Sequence, residues 1–228
     1  MTPETRSLRA RASARLFRLA VFLLLIVFFP FDNLRWWQGW VFVALFWSCS
    51  AATTAYLAIN DPKLLERRMK AGSRAEQGTQ KTIIRLLIIS FSLAIALPVI
   101  DHHRGWSQVP LSVVILGEAL IVLGFVGVWA VFRENTYGAS TIQLAQGQTV
   151  ISTGPYGIVR HPMYSMALVM FGGIPLALGS WWGLLTVLTN FAVLAWRLLD
   201  EERFLAGNLP GYSDYLNRVR YRLVPLVW

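Results

Sequence analysis

Apolar residues gather in long runs separated by short polar stretches. With soft limits, the runs cover residues 15–31, 36–59, 82–100, 110–132, 162–179 and 181–198. A bilayer core about 30 Å thick takes about 20 apolar helical residues to cross, so each run predicts one membrane-spanning helix. The last two are parted only by Gly179-Ser180-Trp181, which predicts a tight helical hairpin. Trp36, Trp37, Trp106, Trp181 and Trp182 stand at run ends, where amphipathic rings favour the headgroup layer. The stretch "NDPKLLERRMKAGSRAEQGTQK" (60–81) has another character. Leu64, Leu65 and Met69 recur at helical spacing among basic residues, which predicts a short amphipathic helix on the membrane surface. It loosens around Gly72-Ser73 and Gly78. "DHHRGW" (101–106) reads as a short, solvated turn. The fold class expected is all-α: a polytopic integral membrane protein of about six transmembrane helices, with a C-terminal helical hairpin and a cytoplasmic pocket.

Composition agrees with this pattern. Hydrophobic residues make up 55% of the 228, charged residues 14%, against about 25% charged in ordinary soluble domains. The first run follows a basic head, as a signal peptide does, but no small-residue cleavage site follows it; it reads as a retained span. The single cysteine, Cys49, excludes a disulfide framework and a cysteine-based metal site. The formal net charge of +9 could suit nucleic acid, but its distribution says otherwise. Of the 21 lysines and arginines, all but Arg35 and Arg104 fall in the N-terminal head, the 60–85 linker, the 133–160 loop or the tail from 197. With six alternating spans, the positive-inside rule places both termini in the cytoplasm. A bacterial inner membrane is the expected location, with anionic lipids rather than nucleic acid facing the basic residues.

Polar and special residues concentrate after Arg133. "STGPYG" (152–157) is turn chemistry, and Pro162 suits the first turn of a helix. The amides exposed there could receive an anion, with Arg160 and His161 beside them; the competing reading is two basic side chains reaching lipid phosphates. Further on, Asn190, Arg197 and Glu201 share one helical stripe running to the mouth of the last span. Polar groups at membrane depth face protein or a cavity; the plainer alternative is an Arg197–Glu201 surface pair worth about 0.3–0.5 kcal/mol. Asp200 and Glu202 point off this stripe and read as solvated. Glu118, inside the fourth run, is a second intramembrane carboxylate, either functional or hydrogen-bonded between helices. Adjacent His102 and His103 lack a third ligand, so no metal is expected. Glycine-rich nucleotide loops and a nucleophile elbow are absent.

"GQTVISTGPYGIVRHPMY" (147–164) followed by "RLLDEERFLAGNLPGYSDYL" (197–216) resembles the isoprenylcysteine carboxyl methyltransferase family of integral membrane enzymes and its phospholipid N-methyltransferase relatives. The shared elements are Gly-x-Tyr-x-x-x-Arg-His-Pro-x-Tyr, then Arg-x-x-x-Glu-Glu-x-x-Leu and Tyr-x-x-Tyr, across roughly residues 133–222. The resemblance implies a division into N-terminal helices with an amphipathic linker (1–132) and a methyltransferase core (133–228). It also implies S-adenosylmethionine held by Gln148, Thr149, Val150, Ile151, Tyr156, His161, Pro162, Met163, Tyr164 and Glu201, with Gln143 a looser match. Arg197 matches the arginine that holds the acceptor, and Arg197 and Glu201 are the expected catalytic pair. Gln148 stands where the animal prenylcysteine enzymes have a histidine, and the chain has fewer spans than they do. The activity implied is methylation of a lipid-like or amphipathic acceptor, foremost a carboxylate of the isoprenylcysteine kind. A phospholipid amine or small thiol acceptor, a sterol-type NADPH reductase and a non-catalytic membrane partner are the alternatives.

Overall fold

A computed structural model describes residues 3–30, 34–69, 78–138, 144 and 147–228. It is helical throughout, with no strand among the described residues. The elements are α1 (Pro3–Phe28), α2 (Trp37–Asn60), α3 (Pro62–Met69), α4 (Thr79–Arg104), α5 (Leu111–Glu134), α6 (Pro162–Ala177), α7 (Leu185–Asn208) and α8 (Tyr212–Arg218). A 3₁₀ turn, Gly154–Gly157, precedes α6, and another, Trp182–Leu184, opens α7. Four helices are long and apolar enough to cross a membrane: α2, α4, α5 and α7 with its leading turn. The α6 helix is apolar but shorter at 16 residues. The α1 helix is long, but its first half is studded with arginines. Each predicted run falls on one of these six helices, and the amphipathic α3 lies where its leucine spacing placed it.

Helices satisfy their own backbone polar groups, the condition for crossing hydrocarbon. Association must then come from close packing and a few polar contacts. The α5 and α6 helices make the most extensive contact of the fold. A Cβ on Gly117 would lie 2.3 Å from the Ala177 amide nitrogen, and one on Gly173 would lie 2.7 Å from the Gly117 carbonyl oxygen. Both approaches are to backbone, which cannot swing aside. The α4–α7 pair is joined by polar groups instead: Ser90 Oγ and Thr189 Oγ1 are 3.0 Å apart, and Asn190 Nδ2 donates to Thr186 O and Ser90 O. The main apolar core, from Leu23, Phe42, Phe46, Ile95, Ile121 and Ile174, fills the middle of the bundle.

The two ends of the bundle differ. At one, Asp101 is fully buried rather than solvated. Its carboxylate accepts from the Ser107 amide (2.8 Å), the Ser107 hydroxyl (2.6 Å) and the Ser180 hydroxyl, tying the α4 terminus to the α6–α7 hairpin. His102 stacks on Trp36 with ring centroids 4.4 Å apart, a packing role. At the other end, Leu8 and Ala12 of α1 meet Leu57, α3 and Phe132. The starts of α4 and α6 and the last turns of α7 join them there. All the polar motifs of the C-terminal half therefore share an end with α3 and the basic head.

Gly117→Ala is expected to lower the melting temperature in detergent by several degrees, because backbone atoms of α6 block the new methyl. Gly172→Ala, where nothing lies within 4 Å of the added carbon, is the matched control and should leave it unchanged. Equal melting of the two variants would show that the α5–α6 contact is not limiting.

Candidate functional site

The turn before α6 is anchored on both sides. Thr153 Oγ1 donates to the Glu134 carboxylate, and Gly154 adopts φ +54° against that same side chain, a conformation glycine reaches without strain. Asn135 Nδ2 donates to Tyr156 Oη at 2.9 Å, and Tyr215 Oη donates to Tyr156 O at 2.8 Å. From the other side, the amides of Arg160 and His161 donate to Tyr221 O (2.9 Å) and Arg222 O (3.0 Å). These two amides are therefore occupied by the C-terminal segment.

Glu202 corrects a second reading. Instead of being solvated, its side chain is only 8% exposed. Its Oε1 lies 3.2 Å from Arg160 Nη1 and 3.3 Å from His161 Nε2, and its Oε2 lies 3.0 Å from Arg222 Nε. Arg160 also donates to Val219 O (2.6 Å) and Leu216 O (2.8 Å). Arg160 therefore braces the turn against α7 and the segment after α8; its side chain is not directed to lipid.

The cleft enclosed by these contacts holds about 100 Å³. Gln148, Thr149, Val150, Ile151, Tyr156, His161, Pro162, Met163, Tyr164 and Glu201 all line it, so the residues singled out by motif converge on one space. Gln143 lies outside the described residues. Sequence reasoning missed Asn135, Tyr137, Leu205 and Leu209 on the wall, and left Tyr212 and Tyr215 without a role. The polar "RENTYG" stretch and the Tyr-x-x-Tyr of α8 were the available signals. Burial pushes the Tyr156 phenol up to about 12, partly offset by the Asn135 donor. Burial likewise raises Tyr212 and Tyr215. The wall is thus rich in neutral phenol and peptide, with the Glu201 carboxylate and the Arg160 guanidinium also lining it.

Tyr164 links the stripe on α7. Its hydroxyl donates to Glu201 Oε2 (2.7 Å) and accepts from Arg197 Nε (3.0 Å), while Arg197 Nη1 donates to Gln80 Oε1 (3.0 Å). Gln80, in the first turn of α4, carried no signal in the sequence; it also donates to Asp200. Arg197 is buried behind Tyr164 and lines neither cavity. Glu118 lies apart on α5, and both its carboxylate oxygens are buried without a hydrogen-bond partner, so an interhelical hydrogen bond does not explain it.

Below the cleft, on the membrane side, is an apolar chamber of about 850 Å³ between α1–α7. Met163 and Tyr164 line both spaces. Among the described residues, no three His, Cys, Asp or Glu side chains gather as a metal site.

The class defined by this fold and site is a polytopic helical membrane protein with a polar cleft set over a hydrocarbon-lined chamber. Residues 112–209 match the family model for phospholipid methyltransferase. The match begins in α5, so α5 groups with the cleft-bearing helices. The chain is 30% identical over 138 residues to the cobalt-zinc-cadmium resistance protein CzcN of Cupriavidus metallidurans, covering 58% of each. It is 28% identical over 152 residues to the nickel-cobalt-cadmium resistance protein NccN of Alcaligenes xylosoxydans xylosoxydans, covering 64% of this chain and 63% of that protein. It is 34% identical over 109 residues to the Delta(14)-sterol reductase TM7SF2 of Mus musculus, covering 42% of this chain and 25% of that protein. The chain thus spans less than two thirds of the length of each relative.

Glu202→Gln is expected to loosen the C-terminal segment, since two guanidiniums and an imidazole lose their common carboxylate partner. Hydrogen exchange at the amides of 222–224 should quicken about tenfold or more. Unchanged protection would mean that the backbone pairing alone holds the segment.

Proposed function

We propose that the chain is a membrane methyltransferase that uses S-adenosylmethionine and methylates a lipid-like acceptor at a carboxylate. The observation carrying this reading is the junction of a tyrosine-walled polar cleft with an apolar chamber across Met163 and Tyr164. The residues present suit the cofactor's chemistry. Glu201 offers an anion to its cationic groups, the tyrosines offer aromatic faces, and the irregular backbone of 148–151 offers peptide donors and acceptors. Gln148, Thr149, Val150, Ile151, Tyr156, His161, Pro162, Met163, Tyr164 and Glu201 would hold it, with Gln143 added by sequence match alone.

When bound, S-adenosylmethionine would supply an electrophilic methyl group on a sulfonium, whose sulfur would keep the bonding electron pair and leave as a neutral thioether when the acceptor oxygen takes the methyl. The protein's share is alignment and exclusion of water, and alignment alone can be worth about 7–11 kcal/mol. Tyr164 stands at the junction, and its two partners fix its hydroxyl. Arg197 acts in this arrangement through Tyr164, as a positioning residue that holds both the phenol and, through it, Glu201. A carboxylate acceptor arrives ionised and needs no base. An amine or thiol would need one, and Glu201 is the carboxylate lining the cleft. The basic end of the bundle faces the cytoplasm in this reading, with both termini there and the protein in a bacterial inner membrane. The likeness to a sterol reductase favours one second reading, in which the cleft takes a nicotinamide cofactor.

Calorimetric titration of the detergent-purified protein with S-adenosylmethionine and with NADPH separates the two. Saturable binding of the methyl donor is expected, weakened at least about tenfold in Glu201→Gln, where the loss of a charged partner is worth about 1.5–3 kcal/mol. Tyr164→Phe should retain much of the binding but lose turnover, because Arg197 and Glu201 lose their shared hydroxyl. Binding of NADPH alone would move the protein to the reductases.

A further inference from the structure

The apolar chamber carries a charge that the reading of the cleft leaves unused. Its volume, about 850 Å³, lies within the range of about 300–1,000 Å³ usual for small-molecule sites. Its walls are largely hydrocarbon from Leu16, Leu19, Phe22, Leu87, Phe91 and Phe171, among others. The hydroxyls of Ser50, Thr53, Thr54 and Ser92 donate back to carbonyls of their own helices. Among the described residues, two charged side chains line the space, Arg15 and Arg68. Arg15 donates to the carbonyls of Arg68 and Met69 and so caps the end of α3.

Arg68 is different. Its guanidinium lies over the Phe132 ring, 4.5 Å from the centroid, and Nη1 donates to Gly138 O at 3.1 Å and contacts Met163 Sδ at 3.6 Å. No carboxylate among the described residues pairs with it. Burial lowers its guanidinium to about 10, still charged at neutral pH, and the neighbouring Arg197 adds to that effect. Gly138 and Met163 both line the polar cleft. A cation with no counter-ion among the described residues thus stands where the hydrocarbon chamber meets the cleft. A charge withdrawn from water without a partner is costly, and an anion arriving with its own apolar chain would relieve it.

We propose that Arg68 is the head-group receptor of the acceptor: a single-chain amphiphile lies in the chamber with its anionic head on the Arg68 guanidinium, beside Met163 and Tyr164. The proposal deepens the methyl-transfer reading, on which it rests for the fate of the head but not for its capture. The α3 helix lies outside residues 112–209, so acceptor selection falls to the N-terminal half while the family segment builds the cofactor cleft. Where the head is the carboxylate to be methylated, the ester formed is neutral, and Arg68 favours substrate over product.

The test uses the full chain in a neutral maltoside detergent, titrated calorimetrically with palmitate, hexadecyl phosphate and methyl palmitate. The wild type is expected to bind at least one of the anions about tenfold or more tightly than the ester, and the tighter of the two names the head. Arg68→Gln should bind all three alike, at the level of the ester, and Arg68→Lys should recover part of the preference. Melting temperatures of the variants, measured in the same detergent, separate this from a packing defect, which would lower stability without equalising the three ligands. Equal binding of acid, phosphate and ester by the wild type, or an anion preference that survives in Arg68→Gln, would overturn the proposal. Titration of the same samples with S-adenosylmethionine keeps the two readings apart. Anion preference without cofactor binding would sink the methyl-transfer reading and leave the receptor standing. Cofactor binding without anion preference would do the reverse.

Discussion

Glu202 is the point on which the cleft depends. One carboxylate, enclosed by protein, draws together Arg160 and His161 from the turn before α6 and Arg222 from the segment after α8. These segments are distant in the chain. Removing one partner from such a buried set typically costs about 3–5 kcal/mol, because a charge is left without compensation. With the set intact, the C-terminal segment pairs its carbonyls with the amides of Arg160 and His161. The α8 tyrosines then close one wall of the cleft. The membrane explains why this happens at one end of the bundle. Hydrocarbon leaves no room for irregular backbone, so turns and their chemistry collect where helices emerge.

A second constraint is the close approach of α5 and α6. Gly117 and Gly173 let the two backbones touch, and this contact carries the start of α6, with Met163 and Tyr164, against the end of α5. Those two residues then face opposite ways at once, into polar cleft and apolar chamber. Tyr164 suits such a place: its ring belongs to the hydrocarbon side, and its hydroxyl is fixed by Glu201 and Arg197. The partition between polar cleft and apolar chamber is therefore built around a phenol and a thioether.

Two arginines changed meaning between sequence and structure. Arg197 matches a family motif and lies on the polar stripe of α7, which made it the natural partner for an acceptor. In three dimensions, α4 brings Gln80 and α6 brings Tyr164 to enclose it, and it lines neither the cleft nor the chamber. Arg68 sits in a basic linker where four neighbouring cations look alike in the sequence. Packing of α3 against α1, α2 and Phe132 selects it from the others and turns it toward the chamber.

By itself, the sequence determined the positions of six apolar helices, the amphipathic α3, the tight α6–α7 hairpin and the motif residues that line the cleft. These rest on local rules: the length of apolar runs, helical period, turn residues and motif spacing, all readable from neighbours in the chain. Tertiary structure decided that Glu202 and Asp101 are buried hubs, that Arg160 braces backbone, that Gln80 joins the site and that Arg68 rather than Arg197 lines the chamber. Each of these depends on which groups from remote segments meet. Burial and pairing of a charge are properties of that meeting, and no spacing along one helix records them.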